Sequence, residues 1–167
     1  MNIVVDSGKG GKDFIKKLKK RNEINVKFVK LFDNTHKLAY NFNKSRIKSE
    51  LLKVLKNVSN KQVNFVVIAC NSASSCILEI LFKNKFLLDN IKIFEPITPI
   101  YFHIKERCYK NILIMSTPIT QKIGWHNRLL KPNKINVKYL TFPLLASRIE
   151  YNNKEEISKS LKRISKK

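Results

Sequence analysis

Acidic residues are scarce in this sequence: 12 Asp and Glu stand against 34 Lys and Arg in 167 residues, a formal net charge of +22. Long apolar runs are missing too, and none reaches the roughly 18 residues that a membrane-spanning helix needs. The amino terminus reads Met1-Asn2-Ile3-Val4-Val5-Asp6, with no basic segment leading into an apolar stretch, so no secretory signal is visible. Cysteine is limited to Cys70, Cys76 and Cys108. Their spacing fits neither a zinc pair nor a disulfide framework, which predicts no metal site and a reducing, cytoplasmic setting. There is no Walker loop, because Gly11-Lys12 is followed by Asp13 rather than Ser or Thr, and no G-x-G-x-x-G fingerprint. No nucleotide or other cofactor is therefore expected.

What is present is a core. Hydrophobic residues make up 43% of the chain, too many for a disordered tail. The positive charge would ordinarily point to nucleic acid. Here it is spread along the whole length, is nearly all Lys, and is mixed with Asn and Ile. Those three residues have AT-rich codons, so an AT-biased genome produces this composition without selection for binding. No RNA-binding aromatic motif, zinc finger or helix-turn-helix spacing accompanies it. The reading predicts no specific nucleic-acid partner and no membrane.

Short β-branched runs alternate with segments of helical spacing. Strands are predicted at Ile3 to Val5, Val26 to Phe32, Phe65 to Ala69, Ile91 to Phe94, Ile112 to Met115 and Val137 to Leu140. The run from Phe65 is continuous and apolar, which predicts burial on both faces. Helices are predicted from about Lys12, from Ser45 to Val58, over Ile77, Ile80 and Leu81, from Thr120 to Leu130 and from Lys154 to Ile164. Such alternation argues for an α/β fold, parallel sheets with helices on both faces. Pro96 and Pro99 flank a break that divides the chain at about residues 1–97 and 98–167.

In open parallel sheets ligands bind beyond the carboxyl ends of the strands. Asp6-Ser7-Gly8 follows the first strand, Cys70-Asn71-Ser72-Ala73-Ser74 the third, and Ser116-Thr117 the fifth, with Thr120 close behind. Small polar residues at such places often serve only as helix caps, which is the plain reading of Ser7, Ser72, Ser74 and Thr117. Cys70 differs, because it stands between a strand and a helix amino terminus, whose oriented N–H groups lower a thiol pKa. Asp6 is expected beside it across the sheet. A carboxylate, a thiol, hydroxyls and helix-start amides suit a small zwitterion such as an amino acid.

Asp6-Ser7-Gly8-x-Gly10-Gly11, with Val66-Val67-Ile68-Ala69-Cys70-Asn71-Ser72-Ala73-Ser74 later, resembles glutamate racemase of the aspartate/glutamate racemase superfamily. Ser72 stands where the family has Thr in Ala-Cys-Asn-Thr-Ala-Ser. Phe32-Asp33-Asn34 and Lys44-Ser45 resemble its Asp-Asn…Pro-Tyr-Gly-x-Lys-Ser segment, with Ala39-Tyr40-Asn41 for Pro-Tyr-Gly. Thr117-Pro118-x-Thr120 is similar to its Gly-Thr-x-x-Thr turn. The resemblance implies two flavodoxin-like α/β units and cofactor-independent interconversion of L- and D-glutamate, supplying D-glutamate for peptidoglycan, by an enzyme with a possible homodimer. It makes Cys70 one thiol acid/base assisted by Asp6, and gives Ser7, Tyr40, Asn41, Asn71, Ser72, Thr117 and Thr120 to substrate, with Asp6 serving there as well.

One departure stands out. The family's second thiol lies in a Gly-Cys-Thr-His segment that this sequence does not contain. Cys108, in Glu106-Arg107-Cys108-Tyr109, has neither flank. The reading therefore expects the second unit and the completion of the first to be truncated. It leaves open an inactive racemase remnant and, from another class, a basic nucleic-acid-binding module.

Overall fold

A computed structural model describes residues 1–21, 25–32, 43–59, 61–83 and 91–162. Tyr40 and Asn41, and the Asp33-Asn34 pair, lie outside the described residues.

The first strand, β1 (Asn2–Asp6), is followed by α1 (Lys9–Arg21), β2 (Val26–Lys30), α2 (Lys44–Ser59), β3 (Phe65–Ile68), α3 (Asn71–Lys83) and β4 (Lys92–Phe94). These strands form one parallel sheet in the order β2-β1-β3-β4. Right-handed crossovers place α1 on one face and α2 and α3 on the other, and α2 and α3 pack on each other. α4 (Ile97–Glu106) then leads to β5 (Asn111–Ser116), α5 (Pro118–Ile123), α6 (Trp125–Leu130), a 3₁₀ turn (Lys131–Asn133), β6 (Asn136–Thr141), α7 (Leu145–Glu150) and α8 (Lys154–Lys162). β5 and β6 form a second parallel sheet.

The central strand β1 carries Ile3, Val4 and Val5, each at most 2% exposed. With Val66 and Ile68 of β3, Ile47, Leu51 and Leu55 of α2 and Ile77 and Ile80 of α3 they form one continuous core, which extends to Ile97, Ile123 and Trp125. Around the second sheet only Ile104, Leu130 and Ile135 form a buried cluster.

Several elements differ from the sequence reading. The strand at Phe65 is fully buried on one face only; Phe65 and Val67, on the other, are partly exposed. The break expected at Pro96 and Pro99 is a helix start. The Glu95 carboxylate accepts the N–H groups of Ile97 at 2.6 Å and Thr98 at 2.8 Å. Pro99 falls in the first turn, where a missing N–H costs nothing. The single helix expected over Thr120 to Leu130 is two, because Gly124 adopts φ 71°, caps α5 and begins α6. α1 begins at Lys9 rather than Lys12.

Candidate active site

β1 and β3 are neighbours, with Val5 opposite Ile68, so Asp6 and Cys70 emerge side by side at the carboxyl ends. This is also where the chain changes direction: β2 lies to one side of β1 and β3 to the other. Crevices open at such switch points.

Asp6 is only 6% exposed. Its Oδ1 accepts the N–H of Ser7 at 2.6 Å. Burial pushes its carboxyl above the ordinary 3.8, against the pull of the Ser7, Gly11 and Gly8 amides and of the Cys70 thiol. α1 lies so close that a Cβ on Gly11 would sit 2.4 Å from Asp6 Cβ and 2.9 Å from the Phe28 ring. Only glycine permits that approach, and the approach delivers the amides to Asp6.

Cys70 is half-buried, and its Sγ lies 3.9 Å from Ser7 Oγ. The amides of Ala73 and Ser72, at the start of α3, do pull its pKa down as expected. The net direction is nonetheless upward: burial first, and the Asp6 charge second, raise the thiol to about 12. The expectation of a lowered pKa is corrected. A helix start cannot offset a desolvated thiol facing a carboxylate.

Three hydroxyls join the two sheets. Ser72 Oγ lies 2.9 Å from Thr117 Oγ1 and 3.3 Å from Thr120 Oγ1, and the two threonines are 3.0 Å apart. Thr117 is also the N-cap of α5, so the plain reading and the functional one coincide there. Asn71, exposed at the first turn of α3, opens with Thr117 and Thr120 into an apolar cleft of about 580 Å³ walled by Ile100, Met115 and Ile149.

Two further groups reach this region without any signal in the sequence reading. Glu150, at the end of α7, accepts the N–H of Lys9 at 2.8 Å, which brings a second carboxylate to the start of α1. It sits in a segment where no helix was expected. His126 lines the cleft, is 5% exposed, and is held by burial below its ordinary 6.5 against the opposing Glu95 charge. Among the described residues, no group of His, Cys, Asp and Glu is arranged to hold a metal, and no helix is long and apolar enough to cross a membrane.

No family model matches the chain. Glutamate racemase of Aquifex pyrophilus is 32% identical over 143 residues, which take in 84% of this chain and 54% of that protein. The chain is a homologue of glutamate racemase. The solved structure of the A. pyrophilus racemase superposes with a TM-score of 0.73 at 28% identity, covering 96% of this chain and 63% of that one. That of Campylobacter jejuni subsp. jejuni gives 0.73 at 25%, covering 91% and 61%. A Bacillus anthracis racemase isoform shares the fold, with a TM-score of 0.81 at 17% identity. The homologue thus spans about half the length of the curated relative it matches. The parallel α/β architecture read from the sequence is the racemase fold.

Proposed function

We propose that the chain carries one proton-transfer half of a glutamate racemase site, with residues 1–97 and 98–167 as its two α/β units. The observation that supports this most directly is the meeting of Asp6 and Cys70 at the switch point of the first sheet. Both groups hold their protons more tightly than usual. Ionising Cys70 is therefore easiest by passing its proton to Asp6, and the resulting thiolate is a strong base for the α-proton of glutamate. The Ser72, Thr117 and Thr120 hydroxyls and the first turn of α3 present donors for the α-carboxylate, and Ser7 and Asn71 flank it. Asp6 supplies a negative charge toward the ammonium group. Tyr40 and Asn41 would complete the substrate contacts. In the cell, such a reaction would supply D-glutamate for peptidoglycan, without a cofactor.

One acid/base group returns a proton only to the face it came from, and inversion needs a second acid opposite. Cys76 is fully buried in α3, and Cys108 precedes β5, at the amino end of its sheet. Neither faces the carboxyl ends of the strands. The 167 residues alone should therefore exchange the α-proton of one glutamate enantiomer without racemising it. In D₂O, deuterium uptake into one enantiomer, lost in Cys70→Ala, is the expected result. Uptake into neither, or uptake indifferent to Cys70→Ala, would overturn the reading.

A further inference from the structure

The two sheets begin alike and diverge at the third strand. β1 has β2 on one side and β3 on the other; β5 has β6 on one side and, among the described residues, no strand on the other. The peptide groups facing that open edge are identifiable. Asn136 N–H donates to the Lys110 carbonyl at 2.8 Å and Phe142 N–H to the Ser116 carbonyl at 3.4 Å. Peptide groups of successive residues point to opposite edges of a strand, so those of Asn111, Leu113 and Met115 face away from β6. Leu113 is 60% exposed and Met115 50%, in a class of sheet whose strands are normally covered. Beside them lies the apolar cleft between Ile100 and Ile104 of α4 and Leu145 and Ile149 of α7.

We propose that the free edge of β5 is the docking surface for a β-strand from outside these 167 residues, laid parallel to β5 and supplied by the part of the racemase fold that the chain does not span. Three observations favour this occupant over a second copy of the chain. A strand there repeats in the second sheet the neighbour relations of β2, β1 and β3 in the first. A two-fold axis would instead pair β5 with itself in antiparallel fashion. Two copies would also bring together charges of +22 each. The solved homologues, of which the chain covers 61% and 63%, have enough further length to provide the strand. A strand parallel to β5 ends beside Ser116 and Thr117, so the residue that follows it arrives at the rim where Asn71 and Thr120 open into the cleft. The choice of partner rests on the homology, whereas the open edge does not.

The test co-expresses the chain with the piece of the A. pyrophilus racemase that lies outside the matched region. The expected result is a one-to-one complex in which the Leu113 and Met115 amides, followed by hydrogen exchange in NMR, slow at least about tenfold relative to the chain alone. The pair Leu113→Lys and Met115→Lys should weaken the complex about tenfold or more, because it removes two apolar side chains from the contact. Phe102→Lys, at a site 53% exposed and outside the cleft, should leave it unchanged. Failure to co-purify, or indifference to the double substitution, would overturn the proposal. So would concentration-dependent self-association that protects the same two amides in the isolated chain. Glutamate exchange is measured separately in the same mixture: docking without exchange supports the surface and counts against the functional reading.

Discussion

The first sheet and the second are built from similar strands and differ in what covers them. β1 is flanked by strands on both sides and has no residue from Ile3 to Val5 more than 2% exposed. β5, with the equally apolar Ile112-Leu113-Ile114-Met115, alternates between partly buried and exposed positions. The composition of a strand therefore does not set its burial; its place in the sheet does. The stability of the chain should be concentrated in residues 1–83, and its capacity for new contacts around β5.

The largest test of that contrast compares two leucines. Leu51→Ala, at a site 0% exposed in α2, should cost about 2–5 kcal/mol in urea unfolding. Leu113→Ala, at a site 60% exposed, should stay within about 0.5 kcal/mol. Equal effects would show that the two halves share one level of burial in solution. Next comes Gly11→Ala, which forces α1 away from Asp6 and Phe28. It should cost about 1–3 kcal/mol, and it should also release the Asp6 carboxyl toward its ordinary pKa, visible by NMR titration.

A smaller effect concerns the joint between the halves. Glu79 of α3 pairs with Lys44 at 2.8 Å and Lys48 at 2.5 Å, and approaches Arg128 of α6 at 3.9 Å. Phe82 stacks on Trp125 at 5.1 Å, and Arg128 sits 5.4 Å from the Trp125 ring centre. Burial raises Glu79, but the Lys44 and Lys48 bonds outweigh it and hold the carboxyl below its ordinary 4.5. Its contribution is present above that value and should fade as pH falls through the lowered pKa. Glu79→Gln should cost about 1 kcal/mol near neutral pH and progressively less in acid, in urea titrations at several pH values. The rim cation Arg128, 57% exposed, should matter less.

The last prediction concerns the thiols. Cys70 and Cys76 both stand at about 12 against an ordinary 9.0. Both favour the folded state fully below pH 9 and lose that contribution as pH rises toward 12. Asp6→Asn removes the charge that helps raise Cys70. Alkylation of Cys70, followed by peptide mass mapping, should then move to lower pH, while Cys76 keeps its profile. An unmoved Cys70 profile would mean that burial alone sets its pKa.

Much of this was legible in the sequence. The β-branched runs located all six strands to within two residues, and the small polar residues after them located the switch point. What escaped notice depended on atoms far apart in the chain. Pro96 and Pro99 look like a break until the Glu95 carboxylate is seen to cap the amides behind them. Thr120 to Leu130 reads as one helix because periodicity does not register a single left-handed Gly124. Gly10 and Gly11 look like a turn, yet they open α1, because Gly11 is needed for contact with Asp6 rather than for a bend. The Cys70 pKa was misjudged because the helix start can be read locally, whereas burial and the facing Asp6 charge cannot. Glu150 lies 141 residues from its partner Lys9, a separation at which no motif gives warning.

The Ser72, Thr117 and Thr120 hydroxyls have a property that their separations alone do not express. Three oxygens, each within 3.3 Å of the other two, can close a ring in which every member gives one hydrogen and receives one. Such a ring can circulate in two senses and points no hydrogen outward. An arriving anion must break one link and turn a hydroxyl toward itself, at a cost of about one net hydrogen bond, roughly 1 kcal/mol. The ring is then polarised in a single direction, all its hydrogens ordered toward the guest. The empty and filled states differ in proton order more than in heavy-atom position, so occupancy would register in hydroxyl exchange before it registered in shape.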